Sequence, residues 1–202
     1  DHEGAAAAQQ EQAVLQQAVC YYELKQFDRM DACYRTVLKE FPHSTAAPEA
    51  LYWVAWGAQR RQKYNEAIKL YKRFVKEHPK HALADRSQYR LGMAHYQAGD
   101  EAAAAAVFYD ILLNYPRIEI GQTELLWLGS YFLQHERPAE AETVYQALLD
   151  RHPGEEMLAL TLYYRAEAQR RTAEKSGKPE DWQEAAKGFR RLLGEKSARF
   201  QS

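Results

Sequence analysis

The sequence lacks most of the features that announce chemistry. Of its 202 residues only two are cysteine. Cys20 and Cys33 make no zinc signature. They are expected as small buried apolar residues on neighbouring helices, with a disulfide in an oxidising compartment as the alternative. Glycine is sparse, with ten residues and no phosphate-cradling loop. Neither a nucleophile elbow nor a paired catalytic carboxylate motif is present, so the chain is not expected to be an enzyme or to carry a cofactor. An excess of either charge is missing too. Twenty-seven Lys and Arg face 28 Asp and Glu, a net charge of −1, which argues against a partner built of nucleic acid. No apolar run approaches the roughly 18 residues of a membrane helix, so this segment is not expected to insert in a membrane. The chain begins at Asp1 rather than Met, so a processed or excised form is expected, and no targeting segment is legible. Few β-branched residues and no period-two alternation leave no case for strands.

What is present is a repeat. Prolines 42, 79, 116 and 153 stand 37 residues apart, each after a bulky residue: Phe41, His78, Tyr115 and His152. Eight residues before each proline stands an aromatic: Tyr34, Tyr71, Phe108 and Tyr145. Four residues before the last three of those stands Ala67, Ala104 or Ala141, with Met30 in the first copy. A spacing of four puts the small residue and the aromatic on one helix face, where the first admits a neighbouring helix and the second fills the space beside it. Proline lacks an N–H and disfavours helix for the residue before it, so it ends each second helix. The first helices carry Gln17-Ala18, Val54-Ala55, Leu91-Gly92 and Leu128-Gly129 at one register. Turn signals separate the two helices of each pair at 26–28, 63–65, 98–100 and 136–138. A fifth, imperfect copy offers Ala185 and Phe189 without a closing proline. Ten helices follow, over about 9–25, 28–40, 45–62, 64–77, 81–98, 101–114, 119–135, 138–151, 155–173 and 180–194. The segment Thr172 to Lys178 reads as an exposed loop. The alanines of Ala5–Ala8 favour helix, with terminal disorder as the alternative.

"Leu91-Gly92 … Ala104-x-x-x-Phe108 … Pro116" resembles the tetratricopeptide repeat. The resemblance implies an all-α, right-handed α-solenoid of about five helix hairpins with a 37-residue period. Its organisation is a single domain over 11–194, with repeats at about 11–42, 48–79, 85–116, 122–153 and 159–194. An N-terminal extension (1–10) and a C-terminal tail (195–202) flank it. The period is longer than the common 34 residues, and the extra residues surround the proline, as in Phe41-Pro42-His43-Ser44-Thr45-Ala46-Ala47. In this it is similar to the bacterial cell-envelope subfamily of the BamD and YbgF domains. That likeness implies a non-catalytic scaffold binding a peptide or partner protein, in the periplasm or cell envelope, with the cytoplasm as the alternative location.

In a superhelix of stacked hairpins the first helices line the concave face. Counting from the Leu-Gly register places Tyr52, Trp53, Trp56 and Gln59 there in the second copy, with Arg60 one residue further. The third copy contributes Tyr89, Arg90, Met93 and Tyr96. The fourth contributes Leu126, Trp127, Ser130 and Leu133. The fifth contributes Tyr163, Tyr164, Glu167 and Arg170, with Arg171 next. Aromatics and arginine are the residue types enriched at protein-binding hot spots. The same rings could instead pack between neighbouring first helices. Trp56, Tyr89 and Trp127 are the strongest candidates. No metal site is expected: Pro79 between His78 and His81 prevents a helical ligand pair, and His43, His78 and His152 read as turn residues. The missing fifth proline and Leu192-Leu193 near the end raise self-association into a homo-oligomer as the alternative function.

Overall fold

In the computed structural model, which describes residues 2–199 and the side chains of 5–194, ten α-helices and no strand are found among the described residues. They are α1 His2–Glu23, α2 Phe27–Glu40, α3 Ala47–Arg60, α4 Tyr64–Glu77, α5 Ala84–Gln97, α6 Glu101–Asn114, α7 Gln122–Gln134, α8 Pro138–Leu149, α9 Glu155–Ser176 and α10 Pro179–Arg199. Two compact units divide the chain, Asp1–Val107 and Phe108–Ser202, and the division falls inside α6.

In the first unit, consecutive helices from α1 to α5 pack in chain order. One core gathers Ala18, Met30, Cys33, Tyr34, Val37, Ala50 and Val54 between α1, α2 and α3. A second gathers Leu51, Tyr52, Ala55, Ala67, Tyr71, Phe74 and Leu91 between α3, α4 and α5. Helix α3 thus buries two faces, as a middle element of a stack must. In the second unit α7, α8, α9 and α10 pack in sequence, and α7 also touches α9. The aromatics expected beside small residues are buried: Tyr71, Phe108 and Tyr145 are fully enclosed and Tyr34 nearly so. Each such ring contributes roughly 1.5–3 kcal/mol by leaving water. Gly129 has the expected reason to be glycine, since a Cβ there would meet the Tyr145 ring at 2.5 Å.

The hairpin turns repeat as faithfully as the prolines. The amides of Gln26, Lys63, Asp100 and Arg137 donate to the carbonyls of Tyr21, Ala58, His95 and Phe132 at 2.8, 2.9, 3.0 and 2.8 Å. The residue just before each donor is left-handed: Lys25, Gln62 and Glu136 with φ of 58°, 59° and 57°, and Gly99 with φ of 76°. This is the Schellman closure of a helix. Three of its four left-handed positions are not glycine, which is why Gly spacing alone does not reveal it. At the other end, Phe41 and His78 leave the helical region, with φ of −129° and −130° and ψ of 52° and 50°, as befits residues before a proline that disfavours helix there.

Four details differ from expectation. Helix α1 runs through Ala5–Ala8, so helix propensity prevails there. Helix α7 starts at Gln122 rather than near 119, because Ile118 and Ile120 are buried in a non-helical stretch and Arg151 donates to the Ile120 carbonyl. Thr172–Ser176 is no loop. It extends α9, burying Ala173, until Gly177 closes the helix at φ of 68° and Pro179 opens α10. Both cysteines are free; Cys33 is buried and donates to Gln17 Oε1 at 3.4 Å, whereas Cys20 is exposed rather than packed. Of the tail, 200–202 and the side chains from 195 lie outside the described residues.

Candidate partner-binding surfaces

In the first unit, α3 sorts its strip residues into core and surface. Tyr52 is fully buried, with its ring 6.1 Å from Tyr71 and 6.3 Å from Phe74. Burial raises its phenol pKa, opposed by the charges of Arg86 and Arg90. Gln59 is buried as well; its carbonyl accepts from the Tyr71 hydroxyl at 3.1 Å and its amide donates to Gln97 at 2.7 Å. Both residues therefore leave the binding strip. The offsets of −3 and +4 from the small residue turn these two side chains towards α4 and α5, where Gln59 ties three helices together.

Arg60 stays exposed, Trp53 and Trp56 are half-buried against the core, and all three are joined by residues from α1 and α2. Trp53 donates from Nε1 to Glu49 at 3.2 Å and stacks on Tyr34, with centroids 6.1 Å apart and planes 12° apart. Trp56 meets Trp53 edge-on at 5.5 Å and Phe27 at 5.4 Å. Tyr22, 41% exposed, reaches Trp53 at 5.5 Å and Trp56 at 6.3 Å. The Arg60 guanidinium lies over the Phe27 ring at 3.9 Å and the Trp56 ring at 5.0 Å. Helix α3 positions these groups through its buried faces, and the Schellman turn at Lys25 delivers Phe27 to them. On α5, Tyr89, Arg90 and Met93 are half-buried and Tyr96 is exposed.

In the second unit the strip is more committed to structure. Trp127 and Leu126 are half-buried, with Trp127 set 6.3 Å from Phe108 and 5.7 Å from Tyr131. The Ser130 hydroxyl pairs with Tyr145 at 3.3 Å, and burial drives that phenol up to about 12. Tyr164 stacks on Tyr145 at 5.9 Å, leaving Tyr163 exposed. Glu167 is gripped by Arg170 and Arg171 at 2.7 and 2.9 Å, and the Arg170 hydrogen bond, chiefly, pulls its carboxyl down to about 2. Arg171 also donates to the Leu133 carbonyl at 3.0 Å. Leu133 is buried, and the charges of Glu167 and Arg170 answer each other.

Comparison with known proteins settles the family. The tetratricopeptide repeat profile matches residues 55–117 and 126–200, and a second profile of the same description matches 12–44. The chain belongs to the tetratricopeptide repeat family. No curated protein matches its sequence. Among solved structures it is similar to MamA, at 20% identity and a TM-score of 0.60, covering 95% of this chain and 96% of that one. A tetratricopeptide repeat protein from Parabacteroides merdae shares 12% identity with a TM-score of 0.62, over 96% of this chain and 77% of that one. YrrB, a tetratricopeptide repeat protein with an unusual peptide-binding site, shares 15% identity with a TM-score of 0.55, over 89% and 84%. At these identities the likeness is one of fold. The tetratricopeptide repeat is in general a non-catalytic scaffold for protein interactions.

The repeat register also explains what sequence reasoning missed. Applied to the first copy, where Ala18 holds the small position, the offsets of +1 and +4 give Val19 and Tyr22, both exposed. Phe27 opens the second helix α2 rather than lying on a first helix, so no first-helix count finds it. Its signal was the aromatic shared by Phe27-Asp28 and Tyr64-Asn65 at the start of two second helices.

Proposed function

We propose that this chain is a non-catalytic scaffold that captures a peptide or partner protein on the aromatic–arginine patch of its first unit. The observation that carries the reading is the packing of Tyr22, Phe27, Trp53 and Trp56 into one ring cluster, with Arg60 over Phe27 and Trp56 and Tyr22 left 41% exposed. Rigid rings contribute area at low entropy cost, and the exposed Arg60 guanidinium is already positioned over two of them before a partner arrives. YrrB, with its peptide-binding site, supports a peptide as the ligand. The setting we propose is a bacterial envelope assembly in the periplasm, supported by the 37-residue period and its long proline turns; fractionation of the tagged native protein tests the compartment.

Trp56→Ala and Trp127→Ala, made singly and together, test the surface. With helical circular dichroism unchanged, Trp56→Ala should weaken capture of the native partner about 30-fold, the scale of a hot-spot truncation. Capture unaltered even in the double variant would end the proposal. A self-association module is a second reading, favoured by Trp182 at 44% and Leu193 at 65% exposure on α10. Light scattering that finds a strict monomer at high concentration rules it out.

A further inference from the structure

A cleft of about 470 Å³ opens in the first unit where the α1–α2 turn meets the C-terminal end of α3. Its wall carries Lys25, Arg29, Arg60, Arg61 and Asp28, with Gly57 beside them. The charges there do not balance locally. Arg61 is answered by Asp31 at 3.0 Å and Asp28 at 3.4 Å, and Asp31 is shared with Arg35 at 2.7 Å. No ion pair joins Lys25, Arg29 or Arg60 to a carboxylate among the described residues, although Asp28 shares the wall. Arg29 leans on neutral partners, the Gln26 amide oxygen at 3.0 Å and the Tyr21 ring at 5.6 Å. Arg60 is held by the faces of Phe27 and Trp56. Stacking through its face leaves a guanidinium's in-plane N–H donors unused, and those donors match a carboxylate in a paired geometry.

We infer that this cleft receives the side-chain carboxylate of an acidic residue in the captured segment. The inference rests on the reading of the neighbouring aromatic patch as the capture surface. Phe27 and Arg60 belong to both features, so one short segment can place an apolar side chain on Trp56 and an Asp or Glu in the cleft. The partner this fits is a peptide with an apolar anchor next to an acidic residue. The cleft sits at the turn edge of the hairpin, beside the strip rather than along it.

The test is a random-peptide array probed with the full chain, followed by titration of a selected peptide against wild type, the Arg29→Gln/Arg60→Gln double variant and Trp56→Ala. Binders enriched in Asp or Glu beside an apolar residue are expected. Exchanging that acidic residue for its amide should weaken binding about tenfold in wild type, the scale of one charge-assisted hydrogen bond, and should change little in the double variant. Wild-type affinity should also fall as salt is added. Binders that depend on Trp56 but show no acidic preference would overturn the carboxylate site and leave the capture surface standing. An acidic preference that persists unchanged in the double variant would overturn it too. An array with no binders would remove both readings.

Discussion

At the scale of single residues, the small positions and the polar groups beneath the rings carry sharp consequences. Gly129 has the Tyr145 ring 2.5 Å from where a Cβ would stand. Gly129→Ala must push that ring or its helix aside, and overpacking of this kind costs about 1–3 kcal/mol. Urea denaturation reads the loss directly; an unchanged midpoint would mean that the contact does not constrain the packing. Gly99 poses the opposite case. Nothing lies within 4 Å of its missing side chain, yet its φ is 76°. Gly99→Ala should cost about 1–2 kcal/mol through backbone conformation alone. Comparing the two alanine variants separates crowding from strain. Glu167 supplies the pH-dependent term. Its carboxyl is held near 2 by Arg170 and Arg171, below the ordinary value of 4.5. The stabilisation it gives is complete above the ordinary value and is lost as pH falls towards 2. Glu167→Gln should therefore flatten the acid side of the stability profile. Denaturation midpoints taken at neutral pH and near pH 2 should differ less in the variant than in wild type, and an equal acid loss in both would assign the effect elsewhere.

At the scale of elements, what was legible depended on whether a residue's job is local. The prolines, the Ala-x-x-x-aromatic pairs and the Leu-Gly steps act within one helix or across one contact. Their spacing therefore gave ten helices near the right places, and burial of Tyr71, Phe108 and Tyr145 follows from it. Element ends decided by tertiary contact were not legible. The start of α7 is set by buried Ile118 and Ile120, and α9 runs on to Ser176, inside the segment where polar composition suggested a loop. The strip suffered for the same reason. A fixed offset from Gly assigns a direction around the helix, but only neighbours decide whether that direction is solvent or core. Tyr52 and Gln59 proved to face other helices, whereas Arg60 stayed exposed, Trp56 stayed half-buried, and both acquired Tyr22 or Phe27 as neighbours. The aromatic cluster is assembled from three helices, and no single stretch of sequence contains it.

At the scale of the molecule, the two compact units should respond separately to local damage. In stacked repeats stability is close to a sum of terms within repeats and between nearest neighbours. Gly129→Ala lies in the unit that begins at Phe108. Hydrogen exchange should show its amides losing protection in α7, α8 and α9 by a larger factor than those of α2, α3 and α4. Equal loss throughout would instead describe one cooperative body. The near-neutral net charge of −1 hides local imbalance such as the cleft beside Arg60, so whole-chain charge does not identify a partner. The Schellman turns at Lys25, Gln62, Gly99 and Glu136 carry a last implication. Each closes a helix with backbone bonds that belong to that turn alone, at one fixed interval. Cutting the gene at any two of them and rejoining the ends would preserve every remaining turn, so unequal crossing-over could lengthen or shorten the protein by whole hairpins without inventing a new junction.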